Sequence, residues 1–141
     1  MPEPDAIEIK DVPLPSVWAM RQSIMYPAET GAFVQLEADA AGLHWGLFRQ
    51  SVLISVISVF VEGESLQFRK FCTLPAWQGK GYGSLLLQYV MDWAAHHAIK
   101  NVWCNARTSA TALYQRFGMH PEGASWTKYG LEFIKMEKQL L

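Results

Sequence analysis

Apolar and polar positions change period several times along this chain, and each change predicts an element. Residues 6 to 12, "AIEIKDV", alternate and run into "PLPS", which predicts a short strand stopped by proline and then a helix from Ser16 to about Tyr26. The stretch 27 to 42, "PAETGAFVQLEADAAG", is polar and aperiodic. It is the longest loop expected, and long loops in compact domains often carry function. "LHWGLF" and "VLISVISVFVE" follow as two strands of a hairpin turning at Arg49 to Ser51, the second rich in β-branched residues as buried strands are. Residues 66 to 74 read as a further strand that Pro75 ends.

From Gly83 the spacing becomes helical, with Leu86, Val90, Trp93 and His97 on one stripe that Leu85 and Tyr89 widen. "NVWCN" at 101 to 105 reads as a strand, and 108 to 118 as a helix capped by Thr108 or Ser109 and closed by Gly118. Ala110, Leu113, Tyr114 and Phe117 share one face of that helix. "YGLEFIKMEKQL" alternates enough to be a last strand. The order β-α-β-β-β-α-β-α-β predicts an α/β sandwich on one mixed sheet.

With 141 residues, the chain supports one core and a single compact domain spanning 1 to 141. A formal net charge of −1 shows no basic excess to attract a phosphate backbone, which argues against nucleic acid as a partner. "MPEPDAIEIK" lacks the basic end and apolar run of an export signal, and the apolar tract at 52 to 61 is too short for a bilayer, so a cytoplasmic protein with no membrane association is expected. Cys72 and Cys104 have neither CxxC spacing nor histidines at zinc-ligand spacing. They read as small buried hydrophobes, and no metal is expected.

One stretch stands out chemically. In "WQGKGYGS", 77 to 84, glycines occupy 79, 81 and 83 around Lys80, between a strand and a helix. A glycine-rich turn before a helix start is an anion site in many folds. A P-loop is excluded, because Gly79-Lys80 is followed by Gly81 and no glycine stands five positions earlier. A GxGxxG dinucleotide turn is excluded too: its last position falls on Ser84 or Leu86.

What remains, Gln78-x-x-Gly81-x-Gly83, resembles the acyl-CoA-binding turn of the GNAT superfamily of N-acyltransferases. "FRKFCTLPAWQGKGYGSLL", "VWCNA" and "ALYQRFGM" match in order the family's ligand-contacting strand with its pyrophosphate turn, the next strand, and the helix carrying a tyrosine. The resemblance implies a splayed mixed sheet flanked by helices, and acetyl-CoA as co-substrate. It places the pyrophosphate on the backbone of Gln78, Gly79, Lys80, Gly81, Tyr82, Gly83 and Ser84, with Lys80 as an added charge. It makes Phe71 and Thr73 main-chain partners of pantetheine, a bulge there aiming an N–H at the thioester oxygen. Tyr114 matches the tyrosine that acts as general acid toward the departing thiolate. Where the family often has a cofactor-holding asparagine, seven positions before the tyrosine, this chain has Arg107, with Asn105 two earlier; either takes that role.

The implied reaction is acetyl transfer to a primary amine of a small molecule or peptide. For its base, Glu29, Glu62, Glu64 and a water chain all stay open. Glu29, Glu37 and Asp39 would suit a cationic amine, whereas Arg69 and Arg107 would hold a carboxylate. His44, His96 and His97 read as structural. Small proteins of this family often pair, so the resemblance leaves a homodimer open. The rival readings are a non-catalytic acyl-CoA-binding or sensor module of the same fold, and a structural domain whose turn binds nothing.

Overall fold

The computed structural model describes residues 6–140. The first five residues of the stretch read as lacking an export signal lie outside them. Seven strands form one mixed sheet in the order β1-β2-β3-β4-β5-β7-β6: β1 Ile7–Asp11, β2 Leu43–Arg49, β3 Val52–Glu62, β4 Ser65–Thr73, β5 Asn101–Arg107, β6 His120–Lys128 and β7 Leu131–Gln139. Three α-helices accompany it, α1 Leu14–Met25, α2 Tyr82–His96 and α3 Thr111–Arg116. No helix among the described residues is long and apolar enough to cross a membrane. The chain groups into two compact units, one from residues 6–60 and Lys70–Val90, the other from Val61–Arg69 and 91–140.

In the first unit, α1 begins at Leu14, two residues earlier than expected. Pro13 caps it in an extended conformation and Pro15 sits in its first turn, where proline lacks only an N–H that would have no helical partner anyway. Antiparallel β1, β2 and β3 follow, the β2–β3 turn made by Gln50 and Ser51 at φ of 50° and 67°. Positive φ at both central residues gives the turn the strand twist a hairpin needs. Ile54 to Val59 are all buried, the mark of a strand covered on both faces. Its two serines are satisfied there: Ser55 Oγ bonds the Cys72 carbonyl at 3.1 Å and Thr73 Oγ1 at 2.8 Å, and Ser58 Oγ lies 2.7 Å from Arg21 Nη2. The predicted loop at 27 to 42 is more ordered than its pattern suggested, carrying 3-10 turns at Gly31–Val34 and Glu37–Ala41. On α2 the buried stripe is Leu86, Leu87, Val90, Met91 and Ala94, whereas Leu85 is 45% exposed and His97 is exposed. The expected stripe therefore needs turning by about one residue.

In the second unit, β4 runs parallel to β5 over Ser65–Gln67 against Asn101–Trp103, and β5 pairs β7 antiparallel along its whole length. A 3-10 turn, Thr108–Ala110, precedes a short α3, and neither Thr108 nor Ser109 caps it: its N-cap is Ala110, without a side-chain bond. Gly118, at φ +83°, follows α3 as expected. Strand β6 was not expected. Pro121 and Gly123 interrupt its pattern and every residue in it is exposed, so no alternation marks it; Tyr129 and Gly130 form its turn into β7.

Candidate active site

The glycine turn and the end of β4 both lie in the first unit. Gly79 and Gly81 have φ of +73° and +87°, and a Cβ built on either would meet nothing within 4 Å. Neither glycine is required by packing. Both serve a left-handed backbone that leaves the space above it bare, just where the 15-residue α2 starts with its unpaired N–H groups. Gly83 has a different reason: a Cβ there would come 3.2 Å from Phe71 Cζ and 3.4 Å from Thr73 Oγ1, so its bareness lets α2 start close against β4. Gln78 Nε2 donates to the Thr73 carbonyl at 2.9 Å and braces the turn on the strand. The Tyr82 hydroxyl accepts from Arg49 Nε at 3.1 Å, and the Arg49 guanidinium lies 4.7 Å from the centre of the Trp77 ring. Lys80 is exposed. Inside β4, Lys70 has a left-handed φ of +55°, immediately before Phe71.

A buried polar cluster in the same unit escaped the sequence reading. Arg21 is fully buried on α1 and grips Asp39 with two bonds, Nη1 to Oδ2 at 2.8 Å and Nη2 to Oδ1 at 3.0 Å. It also donates to the Val34 carbonyl at 2.8 Å, and Trp18 Nε1 donates to Asp39 Oδ2 at 2.9 Å. His44 is buried with its two ring nitrogens 2.8 Å from Ser58 Oγ and 2.9 Å from the Asp39 carbonyl. Burial pushes the Asp39 pKa up, but the Arg21 hydrogen bonds, the Leu36 N–H, the Trp18 indole and the Arg21 charge outweigh it and hold it at about 2. Asp39 is thus no surface charge awaiting a cationic amine. It is the anchor that ties the 27 to 42 segment to α1 and β2. The one signal for it in the sequence was an arginine on the apolar stripe Val17, Met20, Arg21, Ile24.

Tyr114, Asn105 and Arg107 lie in the second unit. Tyr114 is 9% exposed, with its ring 5.7 Å from that of Phe68. Burial first, and Cys104 second, raise its pKa, so the phenol keeps its proton at neutral pH. Asn105 and Arg107 are exposed on β5, opposite Lys135 and Phe133 of β7. Of the candidate bases, Glu64 pairs with Lys100 at 3.0 Å, and Glu29 and Glu62 are exposed. Among the described residues, His120, Glu122 and Glu137 bring possible metal-ligand atoms within 4.8 Å of one another, with Lys135 Nζ 3.8 Å from Glu137.

Both cysteines are buried and free. Burial pushes each thiol up to about 12, although the Arg21 and Lys70 charges pull Cys72 the other way. A thiolate is the nucleophile in cysteine chemistry, so neither side chain is set up to carry an acyl group. Iodoacetamide at pH 7.5 is expected to leave both unmodified in the folded protein and to modify both in urea, as read by intact mass. Modification of the folded protein at the rate of a free thiol would contradict this.

A sequence model of the GNAT acetyltransferase domain matches residues 19–140. The chain belongs to this family. An uncharacterised N-acetyltransferase of Bacillus subtilis, YitI, is 25% identical over 95% of this GNAT chain and 97% of its own. The GNAT fold is equally plain in solved structures. The ribosomal-protein-S18-alanine N-acetyltransferase of Escherichia coli superposes with a TM-score of 0.80 at 17% identity, covering 95% of this chain and 94% of its own. A Bacillus subtilis acetyltransferase in complex with CoA gives 0.75 at 14% identity, over 97% of this chain and 99% of its own. Acyltransferase chemistry follows from GNAT membership.

Proposed function

We propose that this chain transfers the acetyl group of acetyl-CoA directly to a primary amine, its two units acting as one cytoplasmic catalytic domain. The observation that carries the reading is the turn at Gly79 and Gly81, left-handed and open above both positions at the start of α2. Its amides and the helix N-terminus, worth about half a positive charge, suit a pyrophosphate, with Lys80 as a further cation. Phe71 and Thr73 offer backbone groups to pantetheine. The left-handed backbone at Lys70 would turn the following N–H of Phe71 toward the acetyl carbonyl, where charge develops. Asn105 or Arg107 holds the rest of the cofactor. Acetyl-CoA supplies an activated thioester: the amine nitrogen bonds its carbonyl carbon, the C–S bond breaks, the amine gives up one proton and the thiolate takes one.

Tyr114 donates that last proton. A phenol with a raised pKa gives up its proton reluctantly in water, but a thiolate in equally apolar surroundings is pushed up as well, as Cys104 is. Tyr114→Phe is therefore expected to lower kcat by about 100-fold or more, the scale of a positioned general acid, with the acetyl-CoA Kd unchanged within threefold. Calorimetry with acetyl-CoA and release of CoA with a panel of amines test both statements. Equal turnover removes Tyr114 from the mechanism, and binding without turnover on any amine leaves a sensor module.

A further inference from the structure

The acidic set that pointed toward a cationic acceptor is reduced by the burial of Asp39 under Arg21, and a cation takes its place. Lys70, inside β4, is half-buried with φ +55°. Its Nζ donates to the Tyr26 hydroxyl at 2.7 Å and lies 4.8 Å from the centre of that ring. Tyr26 meets Phe33 edge-on at 5.0 Å, and Phe33 is 42% exposed. No carboxylate among the described residues pairs with Lys70. A partly desolvated ammonium with one neutral oxygen partner has two N–H groups to offer an anion.

From this geometry we infer that Lys70 holds the carboxylate of the acceptor, so that the substrate is a primary amine carrying a carboxylate and an apolar group that rests on Tyr26 and Phe33. The inference depends on the acetyl-transfer reading, since it takes the Phe71 N–H as the place of the reacting carbonyl. The Lys70 and Phe71 Cα atoms are then about 3.8 Å apart, and an attacking amine must come within about 3.5 Å of the carbonyl carbon. Groups two or three bonds from that nitrogen fall within reach of the Lys70 side chain. A left-handed non-glycine residue inside a strand is costly, and such strain is kept where it aims a functional group. A polyamine would bring a second cation up to Lys70 and be repelled.

The test compares kcat/KM for L-phenylalanine, L-phenylalaninamide, 2-phenylethylamine and 1,4-diaminobutane, with acetyl-CoA binding followed by calorimetry. The parent protein is expected to prefer L-phenylalanine over 2-phenylethylamine by at least about tenfold, the scale of a charge-assisted hydrogen bond. Lys70→Met should bring that ratio to within about threefold of one, and Lys70→Glu should invert it. Melting temperatures of both variants show that they fold. A parent protein that uses 2-phenylethylamine as well as L-phenylalanine, or a Lys70→Met protein that keeps the preference, overturns this inference and leaves acetyl transfer standing. Absence of acetyl-CoA binding overturns both, and binding with none of these amines consumed overturns this inference alone.

Discussion

Asp39→Ala is expected to cost about 3–5 kcal/mol of stability, enough to unfold a large share of a marginally stable domain. The magnitude comes from what stays behind. Arg21 is 0% exposed, its Nε already lacks a partner, and without Asp39 it would retain only Val34 O and Ser58 Oγ as acceptors for a full buried charge. Several contacts would go together, because the Asp39 carboxylate binds Arg21 and Trp18 of α1 and accepts the Leu36 N–H of its own segment. Urea unfolding at pH 7 measures the loss. The double variant Arg21→Met with Asp39→Leu should recover much of it, since an apolar pair of similar volume removes both charges at once. A loss under about 1 kcal/mol in the single variant would show that the pair is not the clamp it is taken for.

The same contact sets the acid response. Asp39 has its folded pKa lowered from 3.8 to about 2, so the unfolded chain takes up its proton first as pH falls. The contribution is fully present above 3.8 and is lost as pH drops toward about 2. It amounts to about 2 kcal/mol by linkage. The stability gap between the parent and Asp39→Asn proteins should accordingly narrow across that window and be constant above it. A gap that widens with acid would contradict the sign.

Gly81→Glu is expected to weaken acetyl-CoA binding by at least about 100-fold while the protein stays folded. A Cβ at this position meets nothing, so the new side chain enters open space and strikes no part of the fold. The left-handed φ of +87° adds about 1–2 kcal/mol of backbone strain, a modest drop in melting temperature. Binding suffers far more, because a carboxylate would stand where amides and the helix N-terminus otherwise meet a pyrophosphate. Calorimetry on the parent and variant proteins reads the difference. A Kd within threefold of the parent would detach the turn from the cofactor, whatever the activity turned out to be.

Legibility followed the range of the interactions. The turn at 77 to 84 could be read from its letters because φ above zero and bare amides are properties of the glycines themselves. Strands β2 and β3 were legible for a related reason, as β-branched runs report their own burial. Strand β6 was not, since its nine exposed residues owe their conformation to pairing with β7 and leave no periodic trace. The α2 stripe was read a residue off because Leu85 looks apolar wherever its helix is turned, and packing alone decides that Leu87 goes inside.

By itself, then, the sequence determined the family, the order of most elements, the glycine turn at Gly79 to Gly83 and the candidate tyrosine, all through spacing within a few residues. Tertiary structure decided the rest. Arg21 and Asp39 are 18 positions apart and Lys70 and Tyr26 are 44 apart, and nothing local distinguishes a buried ion pair from two solvated charges, or an anchored lysine from a free one. Pairing of that kind is set when distant segments close on each other, because only then does desolvation force each charge to find its partner.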